Sequence, residues 1–466
     1  MAFLTEAANR GSISTGYDIP ASIKFEEDNL EGMYAQPTAA GNRRTWTVSL
    51  WFKRTELTTS GHYHSLILAK VGSETGSIYI TPTDEIICDV GYGSTRNRQQ
   101  TQMKFRDPSA WYHIVWRVDT TQGTAADRHR LYVNGVLQEW TTIDGYPAQN
   151  FESFWNNNIP IYVGIYGTLN NYGACAYMTE IHHTDGISNA PTEFGEFDED
   201  TGIWKPIKYE GNYGAQGFYL PFDDSSDIGK NGHGNDVNFT LQNIAAADYS
   251  TDTPTNNFCT FNPANMYGNT AKLAEGSTFT ASTANGAFTT YGTMAPSAGK
   301  WWWEGKIQVF GDTAYACIGA TTNLAGLPSV SAQLSGGHVI KLSKAQKWVL
   351  NSTGYNYGAA YADADIINVG LDLDNRKFYT YKNGTIDDAN GIDISSSTFD
   401  GFGSQWMPLV ITYGSGGASS YEINFGGYCT YSISSAATDE NGYGTFEYAP
   451  PSGYYALCSK NLAEYG

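Results

Sequence analysis

The sequence predicts an all-β protein built from two β-sandwiches in tandem, preceded by a short N-terminal arm. Three observations support this prediction: aromatic residues make up 14% of the chain and charged residues only 16%, glycine occurs 51 times, and stretches of alternating apolar and polar residues recur. Aromatic and β-branched residues suit a pleated, half-buried surface, while glycine and asparagine supply the turns between short strands. At 466 residues the chain is long enough for two such domains.

Residues 1–20 are small and polar and cannot form a core. They are interpreted either as a disordered terminus or as an arm that orders only against a neighbouring protein in a particle. In the second interpretation, apolar residues of the arm make the attachment, namely Phe3, Leu4, Ile13 and Tyr17.

Residues 21–245 are predicted to form the first sandwich. Residues 111–118 are apolar on both faces, which is typical of an inner strand. Asn134-Gly135 accepts the positive φ angles of a type I′ turn and predicts a hairpin. An earlier strand is predicted by four apolar residues that alternate with their neighbours, Trp46, Val48, Leu50 and Phe52.

Residues 246–260 are polar, rich in threonine and asparagine, and contain Pro254, so we expect a connector there. Residues 261–466 are predicted to form the second sandwich, with a second Asn-Gly hairpin at residues 383–384. In one of its strands, four apolar residues share a face, namely Ile367, Val369, Leu371 and Leu373.

Several stretches resemble known families in their order and spacing. The first half resembles the laminin G-like, concanavalin A-like jelly roll at residues 45–54, 111–116, 131–135 and 176–181. The second half resembles a SPRY domain at residues 302–304, 316–319, 367–374, 382–384, 407–410 and 450–454. These resemblances imply two jelly-roll or concanavalin A-like sandwiches.

Residues 40–46, 193–206 and 251–258 resemble a group of virion proteins from marine tailed phages, usually described as tail-fibre or lectin-like particle proteins. This resemblance covers nearly the whole chain except residues 1–20. It implies a particle component and leaves open the appendage that carries it.

The charge and cysteine content narrow the classes of partner. A net charge of −20 repels duplex DNA and anionic membranes, so we expect no nucleic-acid partner and no membrane insertion. The start of the sequence lacks a secretory signal, and no stretch approaches the roughly 20 apolar residues of a membrane span. The six cysteines show no CxxC spacing, so we expect buried, unpaired thiols and assembly in a reducing cytoplasm.

Concanavalin A-like jelly rolls include glucanases, and retaining glycosidases hold two carboxyl groups about 5–5.5 Å apart. Residues 196–200, Glu-Phe-Asp-Glu-Asp, come nearest to the alternating acids that would supply such a pair. Glu199, however, stands where an apolar residue is needed, and Thr201-Gly202 turns the chain. We therefore interpret this stretch as an acidic surface loop and expect no catalytic residue.

We also expect no cofactor and no metal. His182 and His183 are adjacent in a strand and point to opposite faces, so they cannot hold one metal together. A structural calcium is the alternative, because turn carboxylates offer the oxygen ligands that Ca²⁺ takes. The acids concerned are Asp223, Asp224, Asp227, Asp363, Asp365, Asp387 and Asp388.

Ligand or partner contacts are expected in two loops, because loops vary while the sheets hold them rigid. The candidate residues are Tyr92, Arg96 and Arg98 in the first domain and Tyr355, Tyr357 and Tyr361 in the second. The run Trp301–Trp303 could stack on sugar, but Trp302 matches the SPRY core strand, so core or interface positions are preferred.

The expected function is that of a non-enzymatic component of a tailed-phage virion. The leading version is a tail fibre or tail-tip adhesin that recognises a host surface glycan or protein. Expected partners are two further copies in a homotrimer and other virion proteins contacted through the arm. Three alternatives stay open: a capsid-decorating or head-fibre protein, a glycan depolymerase, and purely architectural sandwiches.

Overall fold

The computed structural model describes residues 16–57, 61–72, 74–91, 96–166, 172–233, 237–266, 271–281, 286–309, 315–322, 338–342, 347–350, 353–395, 403–414 and 419–466. These residues form two compact units. The first is Ser14–Thr255, and the described part of the second is Asn256–Gly466. Both units are built from β-strands, so the predicted all-β class is confirmed.

The strands of the first unit are β1 Ser22–Phe25, β2 Gly32–Ala35, β3 Thr45–Arg54, β4 His64–Val71, β5 Glu74–Ile80, β6 Glu85–Asp89, β7 Arg98–Lys104, β8 Tyr112–Asp119, β9 His129–Val133, β10 Val136–Leu137, β11 Trp140–Ile143, β12 Ile161–Val163, β13 Ala176–Asp185, β14 Gly195–Phe197, β15 Trp204–Pro206, β16 Phe218–Leu220, β17 Thr240–Gln242 and β18 Tyr249–Ser250.

The strands of the second unit are β19 Ala271–Ala274, β20 Thr278–Ala281, β21 Gly286–Tyr291, β22 Lys300–Val309, β23 Tyr315–Thr321, β24 His338–Leu342, β25 Lys347–Leu350, β26 Thr353–Asn356, β27 Ile366–Asp372, β28 Lys377–Lys382, β29 Thr385–Ile386, β30 Ile392–Asp393, β31 Met407–Gly414, β32 Ser419–Asn424 and β33 Tyr455–Ala456. A helix of two turns, α1 Ser459–Tyr465, follows them.

The described part of the first unit contains two large sheets that face each other and a two-stranded sheet of β14 and β15. One sheet has the hydrogen-bonded order β10-β9-β8-β3-β13-β1-β18, with β16 also paired to β13. The other has the order β11-β7-β6-β5-β4-β12-β2-β17. One core cluster draws apolar side chains from both sheets, so the two layers form a sandwich.

Alternation of side chains along the strands produces this core. The four predicted residues of β3, from Trp46 to Phe52, are all fully buried in it, which confirms the predicted face. Trp46 packs edge-on against Trp116 of β8, with ring centroids 4.7 Å apart. Strand β8 lies between β3 and β9, as expected for an inner strand.

The second unit is also a two-sheet structure. Its sheets have the orders β19-β20-β32-β22-β27-β28-β29 and β21-β31-β23-β24-β25-β26. Ile367, Val369, Leu371 and Leu373 all enter its main core cluster, which confirms the face predicted for β27.

The three tryptophans of β22 are all buried, which confirms the preference for core positions. Their faces differ from the expectation. Trp301 and Trp303 belong to the main core cluster, whereas Trp302 lies in a separate cluster with Phe258 and Phe446. Neighbouring residues of a strand point to opposite faces, so only one of the two faces can meet the inter-sheet core.

Both Asn-Gly hairpins form as predicted. Asn134 and Gly135 have φ angles of 46° and 78° between β9 and β10, and Asn383 and Gly384 have 49° and 76° between β28 and β29. These left-handed angles are those of a type I′ turn, whose twist matches its strands.

The structure differs from the predicted connector at residues 246–255. Strand β18 lies in this segment and pairs with β1, and Asp252 is 1% exposed. Its carboxylate accepts hydrogen bonds from Lys53 Nζ at 2.7 Å and from Trp111 Nε1 at 3.0 Å. Polar composition therefore indicated a loop here, whereas the polar groups are paired inside the first unit.

Candidate functional site

A pocket opens on the face of β4, β5 and β7 that points away from the sandwich core. Its volume is about 310 Å³. Along β5, Thr75, Ser77 and Tyr79 face the pocket, while the intervening Ile78 and Ile80 belong to the core. The complete lining is Tyr63, Ser65, Thr75, Ser77, Tyr79, Arg96, Arg98, Tyr166 and Tyr172. We call it the tyrosine pocket.

Four tyrosine rings form the walls of the tyrosine pocket. Tyr63 and Tyr172 are nearly parallel, with centroids 5.7 Å apart and an interplanar angle of 9°. Tyr79 meets Tyr63 edge-on at 5.8 Å, and Tyr166 lies 5.2 Å from Tyr172. Each ring is only partly buried, so the rings present aromatic surface to the solvent.

Two arginines supply positive charge at the tyrosine pocket. Arg96 Nη1 lies 2.9 Å from a carboxylate oxygen of the buried Asp89, and Arg98 Nε lies 2.6 Å from Asp144. Their side chains remain 50% and 39% exposed. A guanidinium has five N–H donors, so these pairings fix the side chains and leave donors for a ligand.

Burial controls the ionisation of two phenol groups of the tyrosine pocket, those of Tyr79 and Tyr166. Burial raises the pKa of Tyr79 to about 12, and it also raises the pKa of Tyr166. Both phenols are therefore neutral at physiological pH and act as hydrogen-bonding groups.

This combination of groups suits a polar ligand with apolar patches. Aromatic faces pack on flat apolar surfaces, and phenol, hydroxyl and guanidinium groups bind hydroxyls and anionic substituents. The described residues that line the tyrosine pocket include no carboxylate.

The structure describes two of the three candidate residues of the first domain. Arg96 and Arg98 both line the tyrosine pocket, Arg96 in the loop where contacts are expected and Arg98 at the start of β7. Tyr92 lies outside the described residues.

The candidate residues of the second domain are not brought to a comparable surface. Tyr357 and Tyr361 are 6% and 4% exposed and belong to the core, which corrects their expected role as contact residues. The Tyr361 hydroxyl donates to Asp387 at 2.6 Å, so burial of this ring leaves its polar end satisfied. Tyr355 lies in β26, and its side chain is outside the described residues.

Of the arm residues, Phe3, Leu4 and Ile13 lie outside the described residues. Tyr17 packs on the first unit instead of extending from it, which corrects its expected place in a free arm. Its hydroxyl donates to Glu180 at 2.9 Å and lies 3.2 Å from the Tyr219 hydroxyl. A hydrogen bond to a buried carboxylate stabilises the packed position of this tyrosine relative to a solvent-exposed one.

The four pocket tyrosines were missed because they come from separate parts of the chain. A weak signal exists in β5, where Ser77 and Tyr79 occupy the face opposite Ile78 and Ile80. An aromatic residue on the polar face of an alternating strand indicates exposed aromatic surface. The signal does not reveal which strands converge.

The acidic stretch at residues 196–200 runs from the end of β14 into the turn that joins it to β15. Asp198 accepts hydrogen bonds from the backbone of Asp200 and Thr201 and pairs with Lys205 at 3.2 Å. Glu196, Glu199 and Asp200 are exposed. This arrangement agrees with the predicted acidic surface loop.

Several acids considered for calcium are bound by protein donors. Asp224 accepts from Ser226, Asp365 pairs with Lys382 at 2.9 Å, and Asp387 accepts from Thr380. Their oxygens fix turns in the described residues.

His182 and His183 point to opposite faces, as expected. His182 stacks on Tyr219 at 4.4 Å, whereas His183 lies 5.8 Å from Trp155 of the core. All six cysteines are free thiols, five of them buried and Cys429 partly exposed. In the described residues, no helix is both long and apolar enough to cross a membrane.

Comparisons with known proteins find a family similarity over part of the chain. The family model for the concanavalin A-like lectin/glucanases superfamily, Laminin_G_3, matches residues 31–164, which include most of the tyrosine pocket lining. The first sandwich therefore has a concanavalin A-like fold. No curated protein sequence matches the chain.

Two solved structures match parts of the chain. The SPRY domain of human HERC1 is 15% identical, with a TM-score of 0.29, and the match covers 35% of this chain and 96% of that domain. The native heptameric SAP-like pentraxin of Limulus polyphemus is 13% identical, with a TM-score of 0.28, and the match covers 37% of this chain and 80% of that protein.

Proposed function

We propose that the protein is a non-enzymatic carbohydrate-binding protein and that the tyrosine pocket is its binding site. One observation carries the proposal: four partly exposed tyrosine rings and two arginines converge on one face of a rigid sheet. Tyr79 is held by β5, and Tyr63 and Tyr172 stack on each other, so these rings lose little conformational freedom on binding, which favours affinity.

The arginines favour a saccharide that carries carboxylate or sulfate groups. Planar guanidinium groups bind such anions through paired N–H donors. The net charge of the chain is −20, so Arg96 and Arg98 provide a local positive field on an acidic protein. An acidic glycan is therefore expected to bind at this place in preference to the rest of the surface.

We further propose that the protein acts on the surface of a tailed-phage particle, as a tail fibre or tail-tip adhesin that recognises a host glycan. The resemblance of residues 40–46, 193–206 and 251–258 to phage virion proteins supports this proposal. Assembly as a homotrimer and mounting through the residues that precede Tyr17 belong to the same proposal. A capsid-decorating or head-fibre protein is the alternative, and antibody labelling of whole particles distinguishes tail from capsid.

A glycan array with the purified full chain tests carbohydrate binding. We expect the parent protein and a control variant, Tyr34→Ala/Tyr162→Ala, to bind acidic glycans. The pocket variant Tyr63→Ala/Tyr172→Ala should no longer bind them. Tyr34 and Tyr162 form a matched pair on the same sheet, outside the tyrosine pocket, with ring centroids 5.8 Å apart. Equal binding by all three proteins would contradict the site, and new reducing ends in the incubated glycan would contradict the non-enzymatic role.

A further inference from the structure

A cluster of metal-ligating side chains lies at one end of the first sandwich. Glu27, His64 and Cys175 are buried, and one ligand atom from each lies within 4.8 Å of the other two. Nε2 of His64 is 3.6 Å from one carboxylate oxygen of Glu27, and Nδ1 of His62 is 2.9 Å from the other. Three potential ligands of three chemical types therefore converge, and His62 contacts one of them, Glu27.

Strand pairing brings these distant residues together. Phe25 of β1 pairs with Ala176 of β13, so Glu27 and Cys175 lie just beyond the ends of neighbouring strands. His64 opens β4 in the opposite sheet, where the next residue, Ser65, donates its N–H to the Tyr172 carbonyl at 3.3 Å. The cluster therefore joins the two sheets.

Acidic side chains lie near the Cys175 thiol. Its sulfur donates to Glu26 at 3.4 Å, and Glu27 and Glu56 are close enough to act on it electrostatically. Negative groups at this place favour a bound cation over a bound anion.

His64 provides a second, independent observation. Its side chain is 3% exposed, and its Nδ1 has no hydrogen-bond partner among the described residues. A buried imidazole usually pairs both nitrogens. Histidine is the commonest metal ligand in proteins, and this ring lies beside a carboxylate and a thiol, the two other ligand types of the cluster.

We propose that Glu27, His64 and Cys175 form a binding site for Zn²⁺, with a solvent molecule as the fourth ligand and with His62 holding the Glu27 carboxylate in place. Thiolate, imidazole and carboxylate are the ligands that Zn²⁺ takes in tetrahedral sites, with bonds of about 2.0–2.3 Å. Separations of 4.8 Å or less close to that geometry through small side-chain rotations. Cys175 binds as the thiolate, so its proton passes to the solvent when the ion binds.

The site would also position the tyrosine pocket. His62 and His64 flank Tyr63 in the chain, and Cys175 follows Tyr172 by three residues. Bound Zn²⁺ would tie together the two segments that carry this ring pair. The metal proposal does not depend on carbohydrate binding, because it concerns different side chains.

Metal titration of the tag-free full chain tests the site. With Co²⁺ alone as a spectroscopic probe, we expect the intense near-ultraviolet absorption of a cobalt–thiolate bond, which Zn²⁺ then displaces. Cys175→Ser and His64→Gln should weaken Zn²⁺ affinity by roughly 100-fold or more, since even outer-shell changes cost 10- to 100-fold.

Cys88→Ser is the matched control, because Cys88 is a buried free thiol in the core of the same unit. It should bind both metals as the parent does. Absence of the thiolate band from the parent, or a band that survives in Cys175→Ser, would overturn the proposal. The band is read on the parent, so the test does not depend on a variant that fails to fold.

Discussion

Tyr63 and Tyr172 lie with their rings 5.7 Å apart and almost parallel, although 109 positions separate them in the sequence. The backbone hydrogen bond from Ser65 to the Tyr172 carbonyl holds their segments side by side. A ring pair fixed in this way offers a preformed surface for a flat ligand.

Removal of one ring of this pair should weaken glycan binding. Tyr63→Ala is expected to cost about 2 kcal/mol, or roughly 30-fold in Kd, which is the size of effect seen for aromatic hot spots. Calorimetric titration with the best array glycan measures it. Tyr34→Ala, on the same sheet, is the control and should change Kd by less than about twofold. An equal loss in both variants would point away from the tyrosine pocket.

Arg98→Gln should reduce affinity for acidic glycans and leave affinity for neutral analogues nearly unchanged. A charge-assisted hydrogen bond contributes about 1.5–3 kcal/mol, so we expect a loss of roughly tenfold or more for the acidic ligand. Asp144, the partner of Arg98, is 35% exposed, so its loss of the arginine costs little stability.

Arg44→Gln removes another half-exposed arginine, one that pairs with Glu152 outside the tyrosine pocket. It serves as the control for net charge and should bind both ligand classes as the parent does. Parallel losses for acidic and neutral glycans in Arg98→Gln would show that this arginine supports the fold and not anion recognition.

The stability of the second unit should depend on the ionisation of Glu304. This side chain is fully buried and accepts hydrogen bonds from Asn368, Asn424 and Tyr431, each at 2.9 Å. Burial raises its pKa to about 7, against an ordinary value of 4.5, although these donors favour the charged form. In the interval between the two values, the folded state therefore retains a proton that the unfolded state has lost.

The contribution of Glu304 to the free energy of unfolding is fully present below about pH 4.5 and is lost as the pH rises through 7. We expect the unfolding free energy of the parent, measured relative to that of Glu304→Gln, to fall by about 3 kcal/mol between pH 4.5 and pH 8. Urea unfolding at several pH values measures it, and groups common to both proteins cancel. A difference that stays constant across this range would contradict the shift.

Asp252→Asn should destabilise the first unit strongly. Asp252 and Lys53 form an ion pair in which both side chains are at most 1% exposed. Loss of one partner leaves a buried charge, so we expect a cost of about 3–5 kcal/mol. Glu210→Gln in the exposed pair with Lys208 is the control and should cost less than about 0.5 kcal/mol. Similar unfolding midpoints for the two variants would show that residues 246–255 do not stabilise this unit.

The sequence predicts the fold well because strand patterns are local. Alternation at Trp46–Phe52 and the Asn134-Gly135 turn depend on neighbours within a few positions, and both occur as expected. Tyr361 shows the limit, because a tyrosine is equally suited to a contact surface and to a core with a partner for its hydroxyl. The composition of its loop does not separate these cases.

The site was predicted only in part for a related reason. Arg96 and Arg98 lie in and directly after the loop that follows β6, where contacts are expected, and both line the tyrosine pocket. The rings opposite them come from β5 and from the segments at residues 63, 166 and 172. Their convergence is fixed by pairing between strands that are distant in the chain, which no local pattern reveals.

A crystal structure of the full chain with a bound acidic oligosaccharide would test most directly whether the tyrosine pocket is a carbohydrate-binding site. We expect an intact sugar against the rings of Tyr63 and Tyr172, with its anionic group within hydrogen-bond distance of Arg98. A sugar bound elsewhere on the chain, or one cleaved between two opposed carboxylates, would contradict it.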